Sequence, residues 1–174
     1  ETVLTPLRSY KGKDPVVNLS ILFHSLPPTE IEKICSRLKL DNDLRDTLLF
    51  VSKNHEKLHT LLGMKQRESM DIIEHKKWDA LFNVFMSNMK TGKMDSDKWE
   101  QLVYKIEELK KKFSGENSIA NIKKLVDGEW IMKLLNLKPG PQVGKIINDT
   151  LSWIINNDID IKDTKKIEDH IKHA

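Results

Sequence analysis

The sequence has little of the chemistry that small folds use to reinforce a weak core. It contains a single cysteine, Cys35, among 174 residues, which excludes an internal disulfide and a zinc site built from several cysteines. Only 6% of the residues are aromatic and only seven are glycine. No apolar run is long enough to cross a bilayer, and segments with the alternating pattern of half-buried strands are scarce. These absences favour an all-α globular protein in which Cys35 is a packing residue.

Common catalytic signatures are also missing. There is no Gly-rich phosphate-binding loop, no dinucleotide-binding glycine pattern and no nucleophile with a recognisable base. Three Asp-x-Asp pairs occur, and such a pair on a strand can hold the metal ions of a nucleotidyl transferase. None of them follows a Gly-rich turn or lies on a predicted strand, so we predict helix capping or solvation. The pairs are Asp41 with Asp43, Asp95 with Asp97, and Asp158 with Asp160.

One enzymatic motif does occur, in the segment His55-Glu56-Lys57-Leu58-His59. In the His-Glu-x-x-His pattern, two histidines one helical turn apart bind zinc and the glutamate serves as base. Zinc needs a third protein ligand, and the downstream patterns that supply it are missing. A zinc hydrolase therefore stays an alternative, against the simpler reading of a helix that carries two histidines.

Apolar periodicity divides the chain into short amphipathic helices. We predict seven to nine of them, including one long helix between Ser69 and Met89. Residues 1–15 are predicted to be an extended lead-in or a connection to an upstream part. Residues 16–113 are predicted to form a helical body, and residues 119–174 a helical tail after the polar, Gly-containing segment 114–118.

The stretch from Val126 to Asn148 is the most informative part of the sequence. Asp127 is a good N-cap for a short helix with a broad apolar face. Lys138-Pro139-Gly140-Pro141 then predicts a tight turn, with φ fixed at Pro139 and positive at Gly140. Pro141 suits the first position of a second helix because it donates no N–H.

A helix that opens from such a turn favours an anion, through free amide groups and the helix dipole. Residues 103–145 contain nine lysines and five acids, a balance of +4, whereas the whole chain carries +3. The positive excess therefore lies around and before the turn, which fits a polyanionic partner. We predict a phosphodiester-binding clamp at Lys138, Gly140, Gly144 and Lys145, with an ordinary helical hairpin that carries a solvated lysine as the alternative.

The residues of this stretch resemble the C-terminal region of class II tRNA nucleotidyltransferases, the CCA-adding enzymes, especially their fungal versions. A second, more diffuse similarity covers Leu48-Leu49-Phe50-Val51 and Lys53-Asn54-His55. The similar positions of the C-terminal stretch are Val126-Asp127-Gly128, Met132, Leu134-Leu135, Leu137-Lys138-Pro139-Gly140-Pro141, Gly144-Lys145-Ile146 and Asn148.

The resemblance implies a protein with a catalytic head followed by helical neck, body and tail domains. The head's Asp-x-Asp site and nucleotide-selecting motif are absent here, so the chain resembles the body and tail, as a fragment or as one subunit of a split enzyme. Such helices hold the acceptor and T arms of tRNA while the head adds C, C and A. In this reading Lys133 joins Lys138 and Lys145 in contacting phosphate, and Gln142 donates to a phosphate or a 2′-hydroxyl group. No cofactor is expected on this chain, Mg²⁺ and CTP or ATP are implied for the head, and catalysis by the chain itself stays open.

Three other functional classes remain as alternatives. A module that resembles a helix-hairpin-helix would bind duplex DNA through the same turn, and the zinc hydrolase and a purely structural helical scaffold complete the set. The expected location is intracellular, in the cytoplasm, nucleus or mitochondrion. No membrane partner is expected.

Overall fold

The computed structural model describes residues 4–89 and 95–173 and confirms the all-α class, with no strand in those two ranges. Nine of the described α-helices have eight or more residues, and two, α1 and α8, are shorter. The helices are α1 Leu4–Ser9, α2 Pro15–Phe23, α3 Pro28–Leu38, α4 Asn42–Thr60, α5 Gln66–Ile73, α6 Trp78–Met89, α7 Ser96–Lys112, α8 Ile119–Leu125, α9 Gly128–Leu135, α10 Pro141–Asn156 and α11 Thr164–His173.

The helices pack into two compact units. The first contains the described residues of 1–64 and 71–105, and the second contains 65–70 and the described residues of 106–174. The division falls inside α5 and α7, not in the segment 114–118 that the sequence marks as a linker. The predicted limits of body and tail stay predictions.

The first unit is built around α4, which packs against α2, α3 and α6, while α1 packs against α2 and α6. Cys35 is buried with Ile31 and Leu48 where α3 meets α4, which confirms its predicted packing role. Burial of such side chains stabilises the fold by about 25 cal/mol for each Å² of apolar surface removed from water. The fully buried side chains of this unit include Ile21, Ile31, Leu48, Leu58, Leu61, Leu81 and Phe85.

The second unit joins α9, α10 and α11, each of which packs against the other two. The short segment at the start of α5 belongs to this unit because the end of α10 binds it. The Asn156 side chain accepts a hydrogen bond from the Arg67 amide at 2.9 Å, and Asp158 accepts one from Gln66 at 3.2 Å. The Asn156 side-chain oxygen thus satisfies one of the free amides at the first turn of α5.

Two sequence predictions about helices are wrong. Residues 4–9 form α1, so this part of the predicted lead-in is helical and not extended. The single helix predicted between Ser69 and Met89 is interrupted after Ile73 and resumes at Trp78. His75 lies in the interruption, where its ring stacks on Phe50 at 3.8 Å between centroids. Its Nδ1 accepts from the Lys77 amide at 3.2 Å, which stabilises the non-helical turn.

Three helices end at residues in the left-handed backbone conformation. Lys39 ends α3 with φ of 52°, Asn136 ends α9 with φ of 52°, and Asp158 follows α10 with φ of 56°. In each case the next amide donates back to a carbonyl five residues earlier, which is the Schellman arrangement that satisfies the last carbonyls of a helix. The three bonds are Leu40 to Cys35 at 3.0 Å, Leu137 to Met132 at 3.0 Å and Ile159 to Ile154 at 3.1 Å.

Lys105 of α7 fixes the segment that follows α4. Its ammonium donates to the carbonyl oxygens of Leu61 at 2.7 Å, Leu62 at 2.8 Å and Met64 at 3.3 Å. These carbonyls belong to a short 3-10 turn, Leu61–Gly63, and to the residue after it. Because a lysine ammonium has three donors and no acceptor, the three carbonyls match its full hydrogen-bonding capacity.

We predict that Lys105→Met, which keeps the length of the side chain and removes its donors, lowers the free energy of unfolding by about 1–3 kcal/mol. Lys111→Met is the matched control, because Lys111 is an exposed lysine on the same helix. Urea denaturation followed by circular dichroism measures both variants. Equal stabilities of the two variants would contradict a structural role for the Lys105 ammonium.

Candidate nucleic-acid interface

The first helix of the candidate interface begins as the sequence predicts. The Asp127 side chain accepts a hydrogen bond from the Trp130 amide at 2.7 Å, so Asp127 is the N-cap of α9. Ile131 faces the interior of the unit and is fully buried. Lys133, one of the predicted phosphate-binding residues, lies in the last turn of α9 and is exposed. The cap and the buried residue therefore fix the helix that carries Lys133.

The connection between α9 and α10 differs from the predicted turn. Gly140 has φ of 175° and ψ of 174°, which is extended backbone and not the predicted positive φ. The left-handed residue is Asn136, with φ of 52° and ψ of 43°. Asparagine tolerates this conformation better than most residues do. Its position directly after the last apolar residue of the helix is the sequence feature that could have predicted a left-handed end of α9.

The second helix begins at Pro141, as predicted. Proline in the first turn removes an N–H that no helical carbonyl would accept. Gly140 precedes it and supplies no side-chain cap, and its carbonyl accepts from the Val143 amide at 3.1 Å. Val143 is buried, and it lies beside Gly128, where an added Cβ would meet its methyl group at 3.8 Å. The beginning of α9 therefore packs against the first turns of α10.

The structure places all six predicted phosphate-binding residues on the surface, along the end of α9, the connection and the first two turns of α10. None of their three lysines forms an ion pair with a carboxylate in the described part of the chain. An added Cβ at Gly144 would meet no atom within 4 Å. The surface around Gly144 is therefore open, and no backbone of the described chain approaches it closely.

The charges of residues 126–149 cancel, with three lysines against Asp127, Glu129 and Asp149. Glu129 lies one helical turn before Lys133, and Asp149 one turn after Lys145. Lys138 lies in the connection, outside both helices. Lys138 and Lys145 are therefore the positive charges nearest the start of α10. Because the net charge of the stretch is zero, an anion would have to contact these side chains directly.

Trp153 of α10 stacks on His170 of α11, with 4.0 Å between the ring centroids and 5° between the planes. Burial in this stack lowers the pKa of His170, and the carboxylate of Asp149 acts in the opposite direction. Because His170 covers this face of the Trp153 ring, a nucleobase cannot stack on it. Trp153 is therefore a packing residue, and its stack with His170 holds α11 against the helix that carries Gln142 and Lys145.

The His-Glu-x-x-His motif lies on α4, but its histidines have other neighbours. The Ser52 carbonyl lies 3.1 Å from Nδ1 of His55, and Nε2 of His55 lies 3.1 Å from Glu56. His59 packs edge-on against Phe85, at 5.0 Å between centroids. Within residues 4–89 and 95–173 no three His, Cys, Asp or Glu side chains are grouped to hold a metal ion. The geometry does not supply the ligand set that a zinc hydrolase needs.

The Asp-x-Asp pairs have structural roles. Asp41 caps α4 by accepting from the Leu44 amide at 2.9 Å, and Asp95 directly precedes α7. Asp158 accepts from Gln66 and forms an ion pair with Lys112. None of the three pairs lies on a strand. These three pairs thus do not fit the metal site of a nucleotidyl transferase.

Comparison with known proteins finds two fungal relatives. The chain is 30% identical over 91 residues to tRNA nucleotidyltransferase cca1 of Schizosaccharomyces pombe, which covers 50% of the chain and 17% of that protein. It is 31% identical over 86 residues to the mitochondrial CCA tRNA nucleotidyltransferase of Saccharomyces cerevisiae, covering 47% of the chain and 16% of that protein. No protein-family model matches the chain, and no solved structure does.

These matches confirm the resemblance that the residues around Lys138 first indicated. About half of the chain is related to a region of CCA tRNA nucleotidyltransferases, and that region spans about a sixth of each relative. No helix of the described residues is both long and apolar enough to cross a membrane.

We predict that Asn136→Val lowers the free energy of unfolding by about 1–2 kcal/mol, because a β-branched residue is strained at positive φ. Asn136→Gly is the matched control, and it should keep the stability of the original chain or exceed it, because glycine adopts this conformation freely. Thermal denaturation measures both. An unaffected Val variant would show that the end of α9 does not depend on the left-handed residue.

Proposed function

We propose that the second unit binds tRNA through the phosphate backbone, using the end of α9, the connection and the start of α10. The supporting observation is that Lys133, Lys138 and Lys145 are all exposed beside a helix start that has no side-chain cap. The relatives are named as tRNA nucleotidyltransferases, which supports tRNA as the polyanion. The chain would serve as the helical RNA-holding part of such an enzyme.

The geometry favours phosphate contacts over recognition of sequence. Pro141 donates no N–H, and the Val143 amide is bonded to Gly140, so the Gln142 amide and side chain are the groups offered at the start of α10. Lys138 lies in the connection, three residues before the first residue of this helix. A cationic side chain and a helix N-terminus together favour one phosphate group. Lys145 and Lys133, one on each flanking helix, would contact neighbouring phosphates.

Recognition would follow the shape of an A-form duplex. The deep major groove of A-form RNA excludes side chains, so proteins contact its phosphates and 2′-hydroxyl groups. Gln142 is exposed and carries both a donor and an acceptor, which suits a 2′-hydroxyl. We assign the acceptor and T arms of tRNA as the duplex that is held. Addition of CCA, with Mg²⁺ and CTP or ATP, is proposed for the whole protein and not for these residues.

Charge reversal tests the proposal. The double variant Lys138→Glu and Lys145→Glu should bind tRNA at least tenfold more weakly, because each substitution replaces an attraction to phosphate by a repulsion. With Lys138→Gln and Lys145→Gln, the slope of log affinity against log salt should fall by about 1.5, since each phosphate contact contributes about 0.7–0.9. Filter binding or fluorescence anisotropy at several salt concentrations measures both effects.

Lys57→Glu is the control, because Lys57 is an exposed lysine on α4 in the first unit. It should change tRNA affinity little. If only net charge matters, Lys57→Glu should lose half as much log affinity as the double variant, since it changes the charge by half as much. Unchanged affinity in the double variant would refute the proposed contacts. Stronger competition by duplex DNA than by unlabelled tRNA would favour a DNA-binding module.

A further inference from the structure

A second feature of the same unit is a cavity of about 360 Å³ between the end of α7, the segment after it, and the chain between α10 and α11. Its size lies within the range of small-molecule sites. The lining is partly polar and partly apolar. Phe113, Ile122 and Ile154 are buried and expose little surface to the cavity, whereas Ile159 and Ile161 are half-buried and expose more of their side chains. A flat ring system that also carries polar groups on its edge would fit this mixed lining.

Charged groups surround the opening of the cavity. Lys112 forms an ion pair with Asp158, and Lys162 forms one with Glu116 at 3.0 Å. Both pairs connect the segment between α10 and α11 to the end of α7 and the residues that follow it. Each lysine is therefore matched by one carboxylate.

Asp160 is the third carboxylate of the lining and brings its net charge to −1. One of its oxygens accepts from the Lys162 amide at 2.9 Å. No ion pair joins it to a lysine or arginine in the described ranges. Because a carboxylate has about four acceptor positions, Asp160 can still accept hydrogen bonds from a ligand.

We propose that this cavity receives one unpaired nucleobase of the bound RNA, with the donor edge of the base toward Asp160. The inference rests on the proposed RNA-binding function and extends it from the phosphate backbone to a base. Proteins read RNA bases mainly where the bases are unpaired, through apolar contact with the ring and hydrogen bonds to its edge. The partly apolar lining, the free acceptor capacity and the lack of net positive charge fit a base and disfavour a phosphate.

The donor requirement predicts which base is preferred. Guanine presents two neighbouring N–H donors on its Watson–Crick edge, and these can meet the two oxygens of one carboxylate. Adenine and cytosine present one amino group, and uracil a single ring N–H. Guanosine should therefore bind most tightly, and uridine weakly.

Nuclear magnetic resonance of the ¹⁵N-labelled chain tests the site with free nucleosides. Guanosine should cause saturable shifts at Asn117, Ile122 and Asp160, all of which line the cavity, and its affinity should exceed that of uridine. The 5′-monophosphate of guanosine should bind no more tightly than the nucleoside. Absence of saturable shifts, shifts confined to other residues, or equal affinities for guanosine and uridine would overturn the inference.

The variant Asp160→Asn keeps the side-chain oxygen that accepts from the Lys162 amide and removes the charge. It should weaken guanosine binding about tenfold or more, because a hydrogen bond to a charged acceptor is lost, and it should weaken tRNA binding measurably. Asp163→Asn is the matched control, since Asp163 likewise accepts from a backbone amide, that of Lys166 at 3.1 Å, but does not line the cavity.

The two proposals fail in different ways. Unchanged tRNA affinity after charge reversal at Lys138 and Lys145 counts against the phosphate contacts and involves no residue of the cavity. The variant Asp160→Asn could lose guanosine binding and still bind tRNA with unchanged affinity. The cavity would then be a nucleoside site that takes no base from RNA. That result would overturn the present inference while leaving the phosphate contacts standing.

Discussion

The way in which helices end is the constraint on which both candidate binding features depend. The last carbonyls of a helix need donors, and here a left-handed residue lets the following amide turn back to supply one. Asn136 does this for α9 and Asp158 for α10. The first residue directs the chain into the connection that carries Lys138. The second directs it into the segment that lines the cavity and carries Asp160. Neither loop has regular structure of its own, so its direction is set by the helix before it.

Packing then orients these ends within the second unit. The start of α9 lies against Val143 and Ile147 of α10, and α11 is held to α10 by the stack of His170 on Trp153. Apolar burial supplies most of the free energy for such packing, whereas the exposed ion pairs contribute little to stability. The lysine pairs at the cavity are therefore better understood as contacts that favour one position of a short segment than as a source of stability. Lys105 differs from them, because its ammonium binds three carbonyls in the first unit.

The sequence was sufficient for features that depend on neighbouring residues. The all-α class, the N-cap at Asp127 and the helix start at Pro141 follow from periodicity and local hydrogen bonding, and all three are confirmed. The break before Trp78 was not predictable in this way, because it depends on a ring stack with Phe50 of another helix. The positive φ was assigned to Gly140, since glycine is the usual choice, whereas Asn136 adopts it. The cavity depends on ion pairs between residues about forty-six positions apart, such as Lys112 with Asp158, and no local pattern indicates those.

The distribution of charge determines what kind of RNA contact this surface can make. Residues 126–149 carry three positive and three negative charges, so their field beyond the Debye length, about 8 Å at physiological ionic strength, is small. Long-range attraction would have to come from lysines elsewhere, such as those that end α7 and α8. In the proposed interaction, Lys138 and the start of α10 would contact one phosphate at short range. The carboxylates of Glu129 and Asp149 lie a helical turn away from Lys133 and Lys145. Such a surface would discriminate between RNA duplexes by the spacing of their phosphates, because a duplex with its phosphates one helical turn out of position would bring a phosphate next to a carboxylate.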